Sequence, residues 1–167
     1  LDDAFEVTNT RADNLRLTVE QSNVAVNEMA ILEFSLRAPD GQIVQESVPL
    51  RITVSDPSSS SHSVEFDLSG IVDGGVVSAT EAKGELGIDG SGFIGVTSRR
   101  PTQLWVTVEA TIRDRVTVSA TRLVTFSAGE TEQLVLELVD PTDTYIAGDA
   151  VNLSMRLVDM DGNTVSG

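Results

Sequence analysis

Apolar residues in this chain recur at every second position, and that period constrains the fold more than any other feature. In "AILEFSLR", residues 30–37, Ala30, Leu32, Phe34 and Leu36 fall on one side of an extended backbone. Ile31, Glu33, Ser35 and Arg37 fall on the other. Side chains alternate across a strand, so such a run predicts a strand with one face buried. "LRLTV" (15–19), "PLRITV" (49–54), "VEFDL" (64–68), "FIGVT" (93–97), "LWVTVEATI" (104–112) and "RVTVSATRLVTF" (115–126) repeat the pattern. The turn signals "PDGQ", "DPSSSS", "DGG", "DGSG", "RDR" and "SAG" separate them. No segment carries a sustained helical stripe. About seven strands at this spacing predict an all-β chain folded as an antiparallel β-sandwich, with a barrel as the competing architecture. Residues 55–63, "SDPSSSSHS", read as a flexible surface loop. The Gly-rich stretch 70–92 reads as a long connection with one short strand near Val76–Ser78.

Composition agrees and narrows the function. Only 4% of residues are aromatic against 40% hydrophobic, so the core must be built from Val, Leu, Ile and Ala, which suits strands. With no Cys there are no disulfides and no thiolate metal sites. A net charge of −15 opposes binding to nucleic acid or anionic lipid, both of which need Lys and Arg to displace counterions. No apolar run is long enough to span a membrane. The chain opens on Leu1, without a basic-then-apolar leader, and reads as a mature or excised piece of a longer product.

An internal repeat organises the rest. Residues 28–46, "EMAILEFSLRAPDGQIVQE", superpose without a gap on residues 149–167, "DAVNLSMRLVDMDGNTVSG", at an offset of 121. Ala30, Leu32, Phe34 and Leu36 fall on Val151, Leu153, Met155 and Leu157, and Asp40-Gly41 on Asp161-Gly162. "LRLTVE" (15–20) matches "LVLELV" (134–139) at an offset two shorter. One face is preserved while the other drifts, as expected when packing restricts one side and water the other. The expected division is 1–13 as a linker or the end of a preceding domain, 14–129 as a complete sandwich and 130–167 as the first strands of a second. Two strands cannot bury a face. The remaining strands therefore lie beyond this sequence or come from another copy by strand addition.

"VDMDGNTVSG" (158–167), "APDGQIVQESVPLRITV" (38–54), "GIDGSGFIGVTS" (87–98) and "LWVTVEATIRDRVTVSATRLVTFSAG" (104–129) occur in an order that resembles the bacterial immunoglobulin-like repeats of invasin and intimin type. The resemblance covers most of residues 14–167. It departs in the longer stretch 55–85 and in Val106, which stands where an aromatic is expected. It implies an Ig-like antiparallel sandwich in tandem modules, and a role as a rigid extracellular stalk or filament at the cell surface. The partners so implied are neighbouring Ig-like domains of the same chain or other copies of itself.

No catalytic constellation emerges, and the chain reads as no enzyme. His62 stands alone in the Ser-rich loop, where a general base has nothing to orient it. Carboxylate pairs are expected by chance among 26 acids, and no aromatic platform marks a glycosidase cleft. Asp159, Asp161 and Asn163 in "DMDGN" suit a tight turn, and their spacing also matches the start of a calcium loop. Asp140, Asp143 and Asp149 near the junction between copies are further calcium candidates. No other cofactor is indicated. Lys83, the one lysine, lies in a loop-like context that argues against an isopeptide cross-link, and Asn152 begins a weak glycosylation signal inside an expected strand. Trp105 alternates outward from Leu104 and Val106 and is a candidate partner contact. The alternative function is an accessory carbohydrate-binding or spacer module of a secreted hydrolase.

Overall fold

A computed structural model describes residues 12–57, 64–112, 116–139 and 150–165. His62, Asp140, Asp143 and Asp149 lie outside the described residues. Twelve strands run through the described part: β1 (Asn14–Val19), β2 (Asn23–Ala25), β3 (Met29–Arg37), β4 (Pro49–Ser55), β5 (Val64–Asp67) and β6 (Val72–Ser78), then β7 (Glu81–Glu85), β8 (Ser91–Ser98), β9 (Thr102–Ile112), β10 (Val116–Ser127), β11 (Gln133–Leu138) and β12 (Leu153–Val158). They form a four-stranded sheet in the order β1-β3-β8-β5, a six-stranded sheet in the order β2-β10-β9-β4-β7-β6, and a separate pair, β11-β12.

The first two sheets enclose one core. Leu17, Leu32, Leu36, Ile94 and Val96 from the four-stranded sheet share a buried cluster with Ile52, Leu104, Val106, Val108 and Phe126 from the six-stranded one. Every residue that alternation placed inward on β3 is buried, and burying each large apolar side chain is worth on the order of 2 kcal/mol. Val106, which stands where the resemblance leads one to expect an aromatic, is fully buried in the core.

The sequence reading differs from the structure in three places. The stretch 70–92 is not a long connection with one strand: β6 and β7 form a hairpin that extends the six-stranded sheet outward beyond β4. The pairing is interrupted by irregularities between Val72 and Gly75 and between Val76 and Ser78, and all of β6 is exposed, which is why no clean alternation marks it. Lys83 is accordingly not in a loop but exposed on β7, with its ammonium 3.5 Å from Glu81. The third difference is β2, three residues too short to show a period, which pairs in parallel with the end of β10 (Val24 beside Phe126). The sandwich is otherwise antiparallel.

Candidate functional site

The region that distinguishes this chain from a solitary sandwich is the junction between β10 and the β11-β12 pair. Each half of the repeat builds the same supersecondary unit. In the first, Leu15, Leu17 and Val19 of β1 face Leu36, Phe34 and Leu32 of β3. In the second, Leu134, Leu136 and Leu138 of β11 face Leu157, Met155 and Leu153 of β12. The turns after them also correspond bond for bond. The N–H groups of Ala38, Gly41 and Val44 donate to the carbonyls of Gln42, Ala38 and Leu36, at 2.9, 2.8 and 3.0 Å. The N–H groups of Asp159, Gly162 and Val165 donate to those of Asn163, Asp159 and Leu157, at 3.0, 3.0 and 2.9 Å. Gly41 and Gly162 occupy the same left-handed position, at φ 84° and 81°, which an L side chain rarely adopts.

What the two units do with their apolar faces differs. Leu17 is 0% and Phe34 3% exposed, whereas their counterparts Leu136 and Met155 are 57% and 70% exposed. The β11-β12 face does not fold back onto the first core.

The second unit is held at its turn instead. Asp159 is buried, and both carboxylate oxygens accept hydrogen bonds. Oδ1 takes the N–H groups of Asp161 and Asn163 at 3.0 and 2.8 Å. Oδ2 takes the Asn163 side-chain amide at 3.1 Å and, across the junction, the N–H of Gly129 at 3.0 Å. Burial pushes this carboxyl up, but the bonds from Gly129, Asn163 and Asp161 together outweigh it and hold Asp159 below the ordinary aspartate value. A second strut forms where the Asn27 side chain donates to the Asp161 carboxylate. Asn27 sits in the turn between β2 and β3 at φ 63°, a left-handed position that asparagine tolerates, with its own N–H on the Ser98 carbonyl. Two points of the first sandwich, Asn27 and Gly129, thus grip one turn of the next unit.

The structure therefore brings Asp159, Asp161 and Asn163 together, as a turn whose first carboxylate is occupied by N–H donors. Among the described residues no group of three acidic, His or Cys side chains is placed to hold a metal. Trp105 is 43% exposed on β9, opposite Leu123 of β10 and Ser55 of β4. The roles of Asn27 and Gly129 were missed by sequence reasoning. One signal could have led to them: at offset 121, Asp159 replaces Ala38, which is itself buried. A carboxylate at a position that is buried and apolar in the sister copy requires a dedicated partner.

No protein-family model matches the chain, and no curated protein matches it. Solved structures do. FdeC, a broadly conserved Escherichia coli adhesin, matches at 16% identity and a TM-score of 0.52, over 94% of this chain and 44% of that one. The Yersinia pseudotuberculosis adhesin InvE matches at 13% identity and a TM-score of 0.50, over 68% of this chain and 32% of that one. The chain spans less than half the length of either structure. It is an all-β Ig-like antiparallel sandwich with a separate β11-β12 pair, and its fold is that of Ig-like domains of bacterial adhesins.

Proposed function

We propose that this chain is a stretch of serial Ig-like modules in a non-enzymatic extracellular protein, serving as a stalk, filament subunit or adhesive component of the cell surface. The observation that carries the reading is the junction. A turn that repeats the backbone hydrogen bonds of its predecessor is clamped by Gly129 and Asn27 to the end of the preceding sandwich. A connection of a few residues between β10 and β11, braced at two points, limits bending between units, which is what a projecting rod requires. The fold shared with adhesins such as FdeC and InvE supports the same surface setting.

The exposed β11-β12 face needs a cover of the kind that β4, β9 and β10 supply in the first sandwich. That cover comes from strands of the neighbouring module in the same chain or, by strand addition, from another copy. Trp105, exposed on β9 of the first sandwich, is a proposed point of contact with a partner.

The test combines location and shape. Antibody raised against the first sandwich labels intact, unpermeabilised cells, and electron microscopy of the purified surface protein shows rods lengthening by one module at a time. Labelling that appears only after lysis, or compact particles without a modular axis, rejects the reading. Sedimentation at rising concentration separates the two sources of cover. Completion by another copy gives assemblies that Leu136→Asp abolishes, and completion in the same chain does not.

A further inference from the structure

Eleven cationic residues share this chain with 26 acids, so an arginine without a carboxylate partner is not short of candidates. Arg51 pairs with Glu81 and Glu109, Arg99 with Glu65, and Arg156 with Glu137. Among the described residues Arg16, Arg37, Arg100 and Arg122 make no ion pair, and three of these four line one groove. That groove, about 790 Å³, follows the side of the sandwich between β1 and β10. At Arg16 and Arg37 it meets a second, about 530 Å³, on the outer face of the four-stranded sheet.

The register explains why the charges gather. Arg16 of β1 stands opposite Ser35 of β3, and Arg37 lies two residues further along the same face, a diagonal pair about 7 Å apart. Two guanidinium groups so placed repel one another, and neither forms an ion pair with Glu33, Asp89 or Asp13, the carboxylates that border the two grooves. Arg37 is also fixed in position: its Nε donates to Ser35 Oγ at 3.1 Å and a terminal nitrogen to the Gly41 carbonyl at 2.8 Å. Arginine carries five N–H donors, so others remain for a ligand. Further along the same face, two strand spacings or roughly 10 Å from β1, Phe93 of β8 is 40% exposed. Its ring rests on Gly70, where an added Cβ would meet ring carbons at 2.5 Å. Glu33 is its cross-strand neighbour, and Asp89 and Ser91 border the same groove.

We propose that this composite groove binds a carboxylated saccharide. The carboxylate is held by Arg16 and Arg37, whose planar forks match its geometry. A sugar ring lies against Phe93, and its hydroxyls reach Glu33, Asp89 and Ser91. Arg122 extends the cationic track along the β1-β10 side for a longer acidic chain. An acidic peptide would use the arginines and leave the aromatic platform idle, which makes the saccharide the better match. The inference stands on the first sandwich alone and is independent of the tandem reading.

Calorimetric titration of the intact 167-residue chain with oligogalacturonate is the test. Saturable binding is expected, with methyl-esterified oligogalacturonate and neutral dextran oligomers at least about tenfold weaker. Arg16→Gln with Arg37→Gln lowers affinity by about tenfold or more, and Phe93→Ala lowers it severalfold. Arg100→Gln, outside the groove, leaves it unchanged. Unchanged melting curves confirm that these exposed substitutions fold, and Arg16→Gln alone carries the test if the double variant does not. No heat at millimolar oligogalacturonate overturns the proposal. So does polyglutamate binding as tightly as the saccharide with Phe93→Ala silent, which would make the groove a site for acidic peptide.

Discussion

The β1-β3 pair and the β11-β12 pair are the same object in two settings. Register, turn hydrogen bonds and the left-handed glycine coincide, and so do the types of residue on the apolar face. Yet one face lies at the centre of a core and the other is open. Local structure in this fold is therefore encoded within each pair, while burial is conferred by strands far away in sequence. The first pair depends for its cover on β4, β9 and β10, which follow it by as much as ninety residues. Attachment of the second pair to its predecessor rests on a different chemistry, a buried carboxylate and a short polar strut, which the first copy, with Ala38 at the equivalent position, does not carry.

The comparison makes quantitative demands. Its largest consequence is at the paired positions Phe34 and Met155. Phe34→Ala removes a ring from the closed core and should cost about 3–5 kcal/mol in denaturant unfolding, whereas Met155→Ala should stay within about 0.5 kcal/mol in this chain. Equal costs would mean the second face is covered after all. Glycine substitution should show the opposite behaviour. Gly41→Ala and Gly162→Ala each force an L side chain to positive φ, at about 1–2 kcal/mol locally in both turns, read by loss of amide-exchange protection around each. Burial should not matter there, because the strain is within the turn.

Removing the junction carboxylate sharpens the contrast further. Asp159→Ala should leave the first sandwich's melting unchanged and let β11-β12 tumble independently, seen as divergent NMR relaxation of the two parts. The same contact should be acid-sensitive. Because the folded pKa of Asp159 lies below the ordinary 3.8, its contribution is fully present above 3.8 and lost as pH falls through the lower folded value. The Gly129 amide resonance should report that transition, and Asp159→Asn should abolish it. Calcium should have the smallest effect, since the Asp159 oxygens already accept N–H groups. Melting curves in calcium and in chelator are expected to coincide, and a marked rise with calcium would reassign the turn as a ligand loop.

Much of this was legible in residue order. Alternation located seven of the twelve strands, because a strand with one buried face writes its period into the sequence, and the internal repeat added β11 and β12. The offset of 121 anticipated a turn that the backbone reproduces. Of β6 only a short strand near Val76–Ser78 is legible, because the element is exposed throughout and leaves no period; β7 escaped because only Ala82 of its five residues is buried, and β2 because three residues are too few to show a period. Gly129 and Asn27 escaped because their function is a contact across 30 and 134 residues, with Asp159 and Asp161 respectively, which no local pattern records. Arg16, Arg37 and Arg122 lie on different strands or strand ends, and only the packing of the sheets brings them to one groove.

By itself, the order of amino acids settled which residues alternate, where the chain turns and that one strand-and-turn pattern occurs twice, since each depends on backbone geometry within a few positions. Only the folded molecule decided which of the two strand pairs is sheltered, what fastens the second to the first, and where guanidinium groups without ion pairs converge. Those are relations between distant strands, set by the packing of whole sheets and by the need of each buried charge for a partner.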